Sequence, residues 1–206
     1  MSTALSTIIN EVLPDVIGCP YPLVEQAVRE SLQDFCSSTW IINRTAVATS
    51  VTTIDVDYAL DNWEVCELIR LKADGVEYSV RRLHPADVGD EMDDLEEVNF
   101  KYWYPVVGGS LTILPFSVAP AEVRVHVAFS PTMLVDTVED QFYHDWHDTI
   151  VYGAKAKLLL MPKKAWSDIQ FGQFFKKQYE DHKLAGIQTV RRELTINEYT
   201  FHKGAI

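Results

Sequence analysis

The chain is poor in cysteine and has no long apolar run, and both shortages exclude classes of protein. It has only three cysteines, Cys19, Cys36 and Cys66. Three cysteines without a Cys-x-x-Cys pair make neither a disulfide framework nor a zinc ribbon. No segment approaches the about 20 apolar residues that span a bilayer, and no basic-then-apolar leader is present. We therefore expect free thiols, no membrane partner and a protein made in the cytoplasm.

Positive charge is scarce over most of the sequence. Residues 1–154 carry 8 Lys and Arg against 25 Asp and Glu, whereas residues 155–206 carry 10 against 5. Because nucleic-acid binding needs a basic face against the phosphates, the acidic part argues against a nucleic-acid binder. Two interpretations of the acidic part stay open, simple solubility and a wall along which DNA passes without sticking.

Enzyme motifs are absent as well. The sequence has no Gly-x-Ser-x-Gly elbow, no phosphate loop and no carboxylate pair in a recognisable glycosidase setting. The acidic run Asp87–Glu97 lacks the central glycine and the ligand spacing of a calcium loop. We therefore predict no catalytic residue, no cofactor and no enzyme activity.

The best metal candidate is the pair His144 and His147, which lies near Asp140, Asp145 and Asp148. Residues 144, 147 and 148 can share one face of a helix. However, the spacing is not the His-x-x-x-His of a metalloprotease helix, and no glutamate base accompanies it. A polar first turn of a helix explains the same residues without an ion. We predict no metal ligand here, and a metal-binding module that uses His144 and His147 stays as an alternative.

Helical periodicity marks both ends of the chain. Apolar residues recur at helical spacing in 2–13 and again in 23–40, and breakers from Pro14 to Pro22 separate the two segments. Pro22 suits the first turn of the second helix, because its missing N–H is unpaired there in any residue. These two helices are predicted to form a helical hairpin.

A second pair of helices is predicted in the C-terminal part. Residues 136–161 are acidic in their first turns, as the helix dipole favours, and Pro162 ends this helix. Ser167 and Asp168 cap a last helix, which we expect to end near Ala185 with Gly186 as its C-cap.

The middle of the chain has the pattern of strands. β-Branched residues dominate 45–56, and apolar residues alternate with polar ones in 122–129. Two dipeptides have the composition of hairpin turns, namely Asp74-Gly75 and Gly108-Gly109. Short strands with glycine-containing turns at this spacing indicate a small antiparallel β-sandwich or barrel.

The segregation of helices from strands predicts an α+β protein. The N- and C-terminal helices, 1–44 and 132–187, are expected to pack as one bundle, with 45–131 inserted between them as the β-domain. Residues 188–206 lack a helical period and carry β-branched residues, so an extended C-terminal tail is predicted. The tail is either a free end or a strand that adds to a partner's sheet.

Five short motifs, taken in order, carry a resemblance to a known family. They are L-P-D-V-I-G-C-P at 13–20, D-F-C-x-x-x-W at 34–40, L-T-I-L-P at 111–115, A-F-S-P at 128–131 and I-V-Y-G-A-x-A-x-L-L-x-M-P-x-x-x-W at 150–166. The first and the last together are the most specific. In these motifs the chain resembles the head-to-tail adaptor (connector) proteins of tailed bacteriophages, in particular the podophage adaptors.

The resemblance implies a structural virion protein in the neck between capsid and tail. Identical copies would form a ring, a dodecamer in such adaptors, that docks under the portal protein and meets the tail or nozzle protein. DNA would pass through the channel of the ring without sequence-specific binding. A C-terminal extension commonly reaches the portal in this family, and here that role falls on the tail with Arg191, Arg192, Leu194, Ile196, Tyr199 and Phe201.

A different neck or tail component is the nearest alternative. A tail-completion protein with a similar sandwich would have much the same sequence pattern. Sequencing the neighbouring genes would separate these two interpretations, whereas the mass of the chain mixed with its portal would separate an adaptor from a metal-binding module.

Overall fold

A computed structural model describes residues 2–48, 53–55, 61–82, 100–106, 110–114 and 120–202. The chain divides into two compact units, which we describe separately. The first comprises Met1–Ile41, Leu60–Asn62 and Pro131–Ile206, and the second comprises Ile42–Ala59 and Trp63–Ser130.

The elements are mixed, as the α+β prediction requires. The helices are α1 (Leu5–Val12), α2 (Tyr21–Thr39), α3 (Asp140–Leu159) and α4 (Ile169–His202), and a 3-10 turn follows α1 at Leu13–Asp15. The strands are β1 (Ser2–Ala4), β2 (Asn43–Ala48), β3 (Thr53–Asp55), β4 (Trp63–Ala73), β5 (Val76–Arg82), β6 (Phe100–Val106), β7 (Ser110–Leu114), β8 (Val123–Pro131) and β9 (Thr137–Glu139). No helix among the described residues is both long enough and apolar enough to cross a bilayer.

In the first unit, α1 and α2 form close to where the apolar spacing predicts them, but the helix predicted over 2–13 is wrong at its start, because Ser2–Ala4 pairs as β1. The buried side chains of α1 follow the i, i+3, i+4, i+7 pattern of one helix face, namely Leu5, Ile8, Ile9 and Val12. Pro22 lies in the first turn of α2. α2 ends at Trp40, which takes a left-handed backbone (φ 58°) and donates its N–H to the Cys36 carbonyl. That arrangement satisfies one carbonyl at the open end of the helix.

A two-stranded sheet precedes α3. β1 and β9 pair antiparallel, with Thr3 opposite Val138. Thr3 Oγ1 donates to Asp140 Oδ1 at 2.7 Å, and the Leu5 N–H donates to the Asp136 carbonyl at 2.8 Å. The predicted helix 136–161 is therefore right in its body and wrong at its start, because residues 137–139 pair with a strand some 130 residues earlier in the chain.

The helices of the first unit approach closely at small residues. A Cβ added at Gly153 of α3 would lie 2.9 Å from the Tyr179 ring of α4 and 3.0 Å from Ser31 Cβ of α2. Phe35 of α2 fills the adjoining space, with its ring centroid 5.3 Å from that of Trp146. Only glycine at position 153 leaves room for the tyrosine ring.

The predicted end of the last helix is wrong. α4 runs to His202, so Gln188–His202 is helical and not an extended tail. Gly186 lies inside the helix at its closest approach to α2, where an added Cβ would be 3.1 Å from Thr39 Cγ2 and 3.2 Å from the Phe35 ring. Val190, one turn later, is only 2% exposed. Packing of this face therefore overrides the β propensity of the segment.

The start of α4 agrees with the sequence. The Asp168 carboxylate accepts hydrogen bonds from the N–H groups of Gln170 and Phe171, at 3.0 and 3.1 Å. This is the N-cap that the sequence predicts.

In the second unit, seven strands form one sheet in the order β2-β8-β4-β5-β6-β7-β3. β2–β8, β4–β5, β6–β7 and β3–β7 pair antiparallel, and β5–β6 pairs parallel. The alternation predicted for 122–129 is confirmed, since Val123, Val125 and Val127 are buried whereas Arg124 is exposed.

The hairpin predicted at Asp74-Gly75 is confirmed. Both residues have positive φ, 49° and 81°, as a two-residue turn of this type requires. The Asp74 carboxylate also accepts the N–H of Glu122 at 2.9 Å and that of Ala121 at 3.2 Å, which ties the turn to the start of β8.

The β-branched segment 45–56 contributes to two strands, β2 and β3. β2 pairs with β8, whereas β3 pairs with β7 at the other edge of the sheet. The residues between them, the turn Gly108-Gly109 and the acidic run Asp87–Glu97 lie outside the described residues.

Candidate functional site

The six residues predicted to bind a partner all fall in the last third of α4. Arg191 and Arg192 are exposed and Leu194 is half-buried. Ile196, Tyr199 and Phe201 lie within the same helix, and their side chains are outside the described residues. Because the backbone of 188–202 is helical, its N–H and C=O groups bond within α4 and not to a strand of a partner.

α4 has one packed stripe and one opposite stripe. Gly172, Tyr179, Gly186 and Val190 are buried and follow one another at helical spacing. At about 100° per residue, Leu194 and Phe201 continue this stripe, whereas Arg192, Ile196 and Tyr199 fall on the other side. The six residues therefore divide between two faces of the helix.

The side of α4 opposite the packed stripe is apolar where α4 begins. Phe171 is 59% exposed and Phe174 is 53% exposed. By helical spacing they lie in line with Arg192, Ile196 and Tyr199 further along the helix. We call these five positions the outer face of α4. Exposed aromatic side chains in a row are typical of a docking surface.

α4 is held to α2 by a polar contact that the sequence gives no sign of. Tyr179 Oη donates to Asp34 Oδ2 at 2.6 Å, and Lys183 Nζ donates to the same oxygen at 2.9 Å. Partial burial alone would raise the pKa of Asp34, but the bonds from Tyr179 and Lys183 hold that pKa below its ordinary value. Burial, with the bond to Asp34, raises the pKa of Tyr179.

The only group of three or more potential metal ligands among the described residues joins α1 and α3. One ligand atom from each of Glu11, His147 and Asp148 lies within 4.8 Å of the other two. His147 Nδ1 is 2.8 Å from the Tyr143 carbonyl, and Tyr143 Oη donates to Glu11 Oε1 at 3.0 Å. We call Glu11, His147 and Asp148 the His147 cluster.

His144 is not part of the His147 cluster. Its side chain is 85% exposed, and Nδ1 is 2.9 Å from Asp145 Oδ1. This bond, with one from Gln141, holds the pKa of Asp145 below its ordinary value. Of the two histidines that the sequence suggests as metal ligands, only His147 lies in the cluster. Glu11, and not His144, joins it there with Asp148. Glu11 lies more than 130 positions away, so no local pattern could have found it.

The cysteines are free thiols, as the sequence predicts. Cys36 is buried, and burial with the neighbouring Glu67 raises the pKa of Cys66 to about 12. A thiol with so high a pKa is a poor nucleophile at neutral pH.

No model of a protein family matches the chain, and no curated protein matches it.

Proposed function

We propose that this chain is a structural adaptor of a bacteriophage neck, which forms a ring of identical copies between the portal and the tail. The five motifs between residues 13 and 166 support this proposal, because in them the chain resembles head-to-tail adaptors. The ring extends the DNA channel and docks the tail, and no chemical reaction is part of its role.

In this proposal α1–α4 form a bundle and the seven-stranded sheet is a small sandwich or barrel. The short connection between the two edge strands supports a curved sheet. The edge strand β2 ends at Ala48, and the other edge strand, β3, begins at Thr53. The chain between these two residues can span at most about 19 Å. A flat sheet of seven strands would place its edges about 29 Å apart. This limit favours a sheet that curls toward closure.

One observation carries the proposal, and it is the outer face of α4. Phe171 and Phe174 are more than half exposed on a helix whose other side is packed. Burying a fully exposed phenylalanine contributes about 1.5–3 kcal/mol, so covering each of these half-exposed side chains in a partner contributes roughly half of that. A contact of this size is weak alone, but a ring repeats it in every copy, and the multivalent complex is then much tighter than a single contact.

The charge distribution supports contacts of the same kind. The acidic residues of 1–154 outnumber the basic ones by 25 to 8, and α4 lies in the segment where basic residues prevail by 10 to 5. The basic residues of 155–206 in one copy are thus attracted by the acidic part of the next, which orients the two copies. Acidic residues on a channel wall would also let DNA pass without binding.

The C-terminal end of α4 binds the portal in this proposal. Arg191, Arg192, Leu194, Ile196, Tyr199 and Phe201 are the residues that we assign to it. Because the segment is helical, we propose that it docks as a helix in a groove, with Arg192, Ile196 and Tyr199 forward, and not as an added strand.

The decisive experiment mixes the purified chain with the portal protein of the same phage and measures the mass of the products. We expect a complex that contains one portal and a ring of copies. No complex under any condition that keeps both proteins folded would overturn the proposal. Binding to a tail protein without binding to the portal would favour a tail-completion protein.

A matched pair of variants locates the contact. Phe171→Ser with Phe174→Ser removes the exposed aromatic side chains at the start of the outer face, and we expect at least a tenfold loss of ring formation. Leu184→Ser is the control, because Leu184 is 58% exposed on the same helix but falls to one side of the outer face by helical spacing. Equal losses in both variants would mean that the outer face is not the contact.

A further inference from the structure

The His147 cluster brings together one imidazole and two carboxylates from separate helices. Glu11 lies in the last turn of α1, and His147 and Asp148 lie in the first half of α3. The three ligand atoms lie within 4.8 Å of one another. In a zinc site the bonds are about 2.0–2.2 Å long. Donors bound to one tetrahedral ion lie about 3.4 Å apart, so the most distant pair of the three would close by about 1.4 Å or less.

The hydrogen bond at His147 Nδ1 determines which tautomer the imidazole adopts, and this tautomer is one that can bind a metal ion. Its Nδ1 lies 2.8 Å from the Tyr143 carbonyl oxygen, which can only accept. Nδ1 therefore carries the proton, and in the neutral ring Nε2 keeps its lone pair. That Nε2 lies 3.4 Å from Asp148 Oδ1. The Tyr143 ring stacks on His147 with the centroids 4.8 Å apart and holds its orientation.

Glu11 is held in place in a similar way. Tyr143 Oη donates to Glu11 Oε1 at 3.0 Å. A carboxylate accepts several bonds, so this one leaves the group able to bind a cation. Tyr143 thus supports two of the three ligands, Glu11 through its hydroxyl and His147 through its carbonyl and ring. Metal ligands are commonly oriented by such outer partners.

We propose that Glu11, His147 and Asp148 bind a divalent transition-metal ion, zinc in the first instance, between α1 and α3. An imidazole nitrogen with two carboxylate oxygens suits zinc better than calcium or magnesium, which prefer oxygen ligands alone. The ion also removes the repulsion between two carboxylates that face one histidine. Three protein ligands leave a fourth position for water, and the exposure of Asp148 gives the ion access.

The ion would clip α1 to α3 and stabilise the folded first unit. A cation that binds the folded chain and not the unfolded one raises the thermal midpoint in proportion to the logarithm of its concentration. The proposal does not depend on the role in a phage neck, since it concerns the folding of one chain.

Zinc titration of the full, untagged chain tests the proposal, after removal of metal by a chelator and dialysis. We expect one zinc ion per chain by calorimetry and a rise in the thermal midpoint that EDTA reverses. Cobalt gives a second readout, a visible absorption band that appears on coordination. No saturable binding of zinc, or binding without a change of midpoint, would overturn the proposal.

Variants assign the ligands and have a matched control on the same helix. His147→Gln and Glu11→Gln should each weaken zinc binding by at least about tenfold, and Tyr143→Phe by about tenfold through loss of the outer bond. His144→Gln with Asp145→Asn should leave the affinity unchanged, because this pair repeats the His-Asp sequence without Glu11. Circular dichroism of each metal-free variant verifies folding. Zinc affinity that survives His147→Gln or falls in the His144 variant contradicts the assignment.

Discussion

Asp34 shows how much of the first unit depends on single polar contacts. Its carboxylate accepts from Tyr179 at 2.6 Å and from Lys183 at 2.9 Å, so one residue of α2 holds two turns of α4. The sequence indicates α2 and α4 by their periodicity, but it does not indicate this contact, because the partners are separated by 145 and 149 positions. Local rules predict elements, and contacts of this range depend on the fold.

We predict that Asp34→Asn lowers the free energy of unfolding at pH 7 by about 1–2 kcal/mol, since two charge-assisted bonds become neutral ones. The bonds from Tyr179 and Lys183 outweigh burial and lower the folded pKa of Asp34, so the unfolded chain binds the extra proton in acid. The contribution is therefore complete above the unfolded pKa of about 3.9 and is lost as the pH falls through the lower folded value. Urea unfolding at several pH values measures both effects.

Asp145→Asn is the control for that experiment. The pKa of Asp145 is also held low, first by the bond from His144, but its partners His144 and Gln141 lie on the same helix, so these bonds do not join two helices. We expect a change within about 0.5 kcal/mol at pH 7. An Asp34→Asn variant that is no less stable than the Asp145→Asn variant would show that the contact between α2 and α4 contributes nothing net.

The two ends of α4 show why capping signals differ in value. Asp168 predicts the start of the helix correctly, because an N-cap acts through its own side chain on the next N–H groups. Gly186 was predicted as the end of the helix, but a glycine serves equally where another element approaches closely, and here that element carries Thr39 and Phe35. The sequence does not distinguish these two uses of glycine, since the difference lies in a helix about 150 residues away.

At the scale of elements, two substitutions in α4 beyond Gly186 can test whether this segment is a packed helix or an extended free tail. Val190 is 2% exposed, so we predict that Val190→Ser costs about 1.5–3 kcal/mol of unfolding free energy through lost burial. Gln188→Ser, two positions earlier and exposed, is the control and should change little. Chemical denaturation measures both. An extended and free segment after Gly186 would make the two variants equally stable, which would contradict the helix.

In the sheet too, some features can be predicted from the sequence and others cannot. The β4–β5 hairpin follows from Asp74-Gly75, because a two-residue turn with positive φ at both positions fixes its neighbours. The parallel pairing of β5 with β6 and the placement of β2 and β3 at opposite edges follow from no local signal. Strand order is decided by which faces are buried together, and that is a property of the whole sheet.

For the whole molecule, the sequence predicts the segregation of helices from strands, and the compact unit that starts at Ile42 begins close to the change from helical to alternating spacing. The candidate sites were harder to predict from the sequence than the fold class. The outer face of α4 becomes visible only once Gln188–His202 is known to be helical, because helical spacing alone aligns Phe174 with Arg192. The His147 cluster likewise requires α1 to lie beside α3.

Assembly should depend on salt if opposite charges on neighbouring copies orient them. Salt shortens the range of surface electrostatics from about 10 Å at 0.1 M to about 3 Å at 1 M. We therefore predict that the number of copies bound per portal falls as sodium chloride rises, as measured by analytical ultracentrifugation. Lys176→Glu with Lys177→Glu, both exposed on α4, should weaken binding at low salt and remove most of the salt dependence.

Two comparisons separate charge from apolar burial in that assembly. Lys72→Glu with Arg124→Glu makes the same change of charge in the second unit and should have a smaller effect. Phe171→Ser with Phe174→Ser should weaken binding at every salt concentration and leave the slope against salt unchanged, because apolar burial is not screened. If binding instead strengthens with salt and the α4 lysines prove indifferent, the contact is apolar alone, and the uneven charge of the chain serves its solubility.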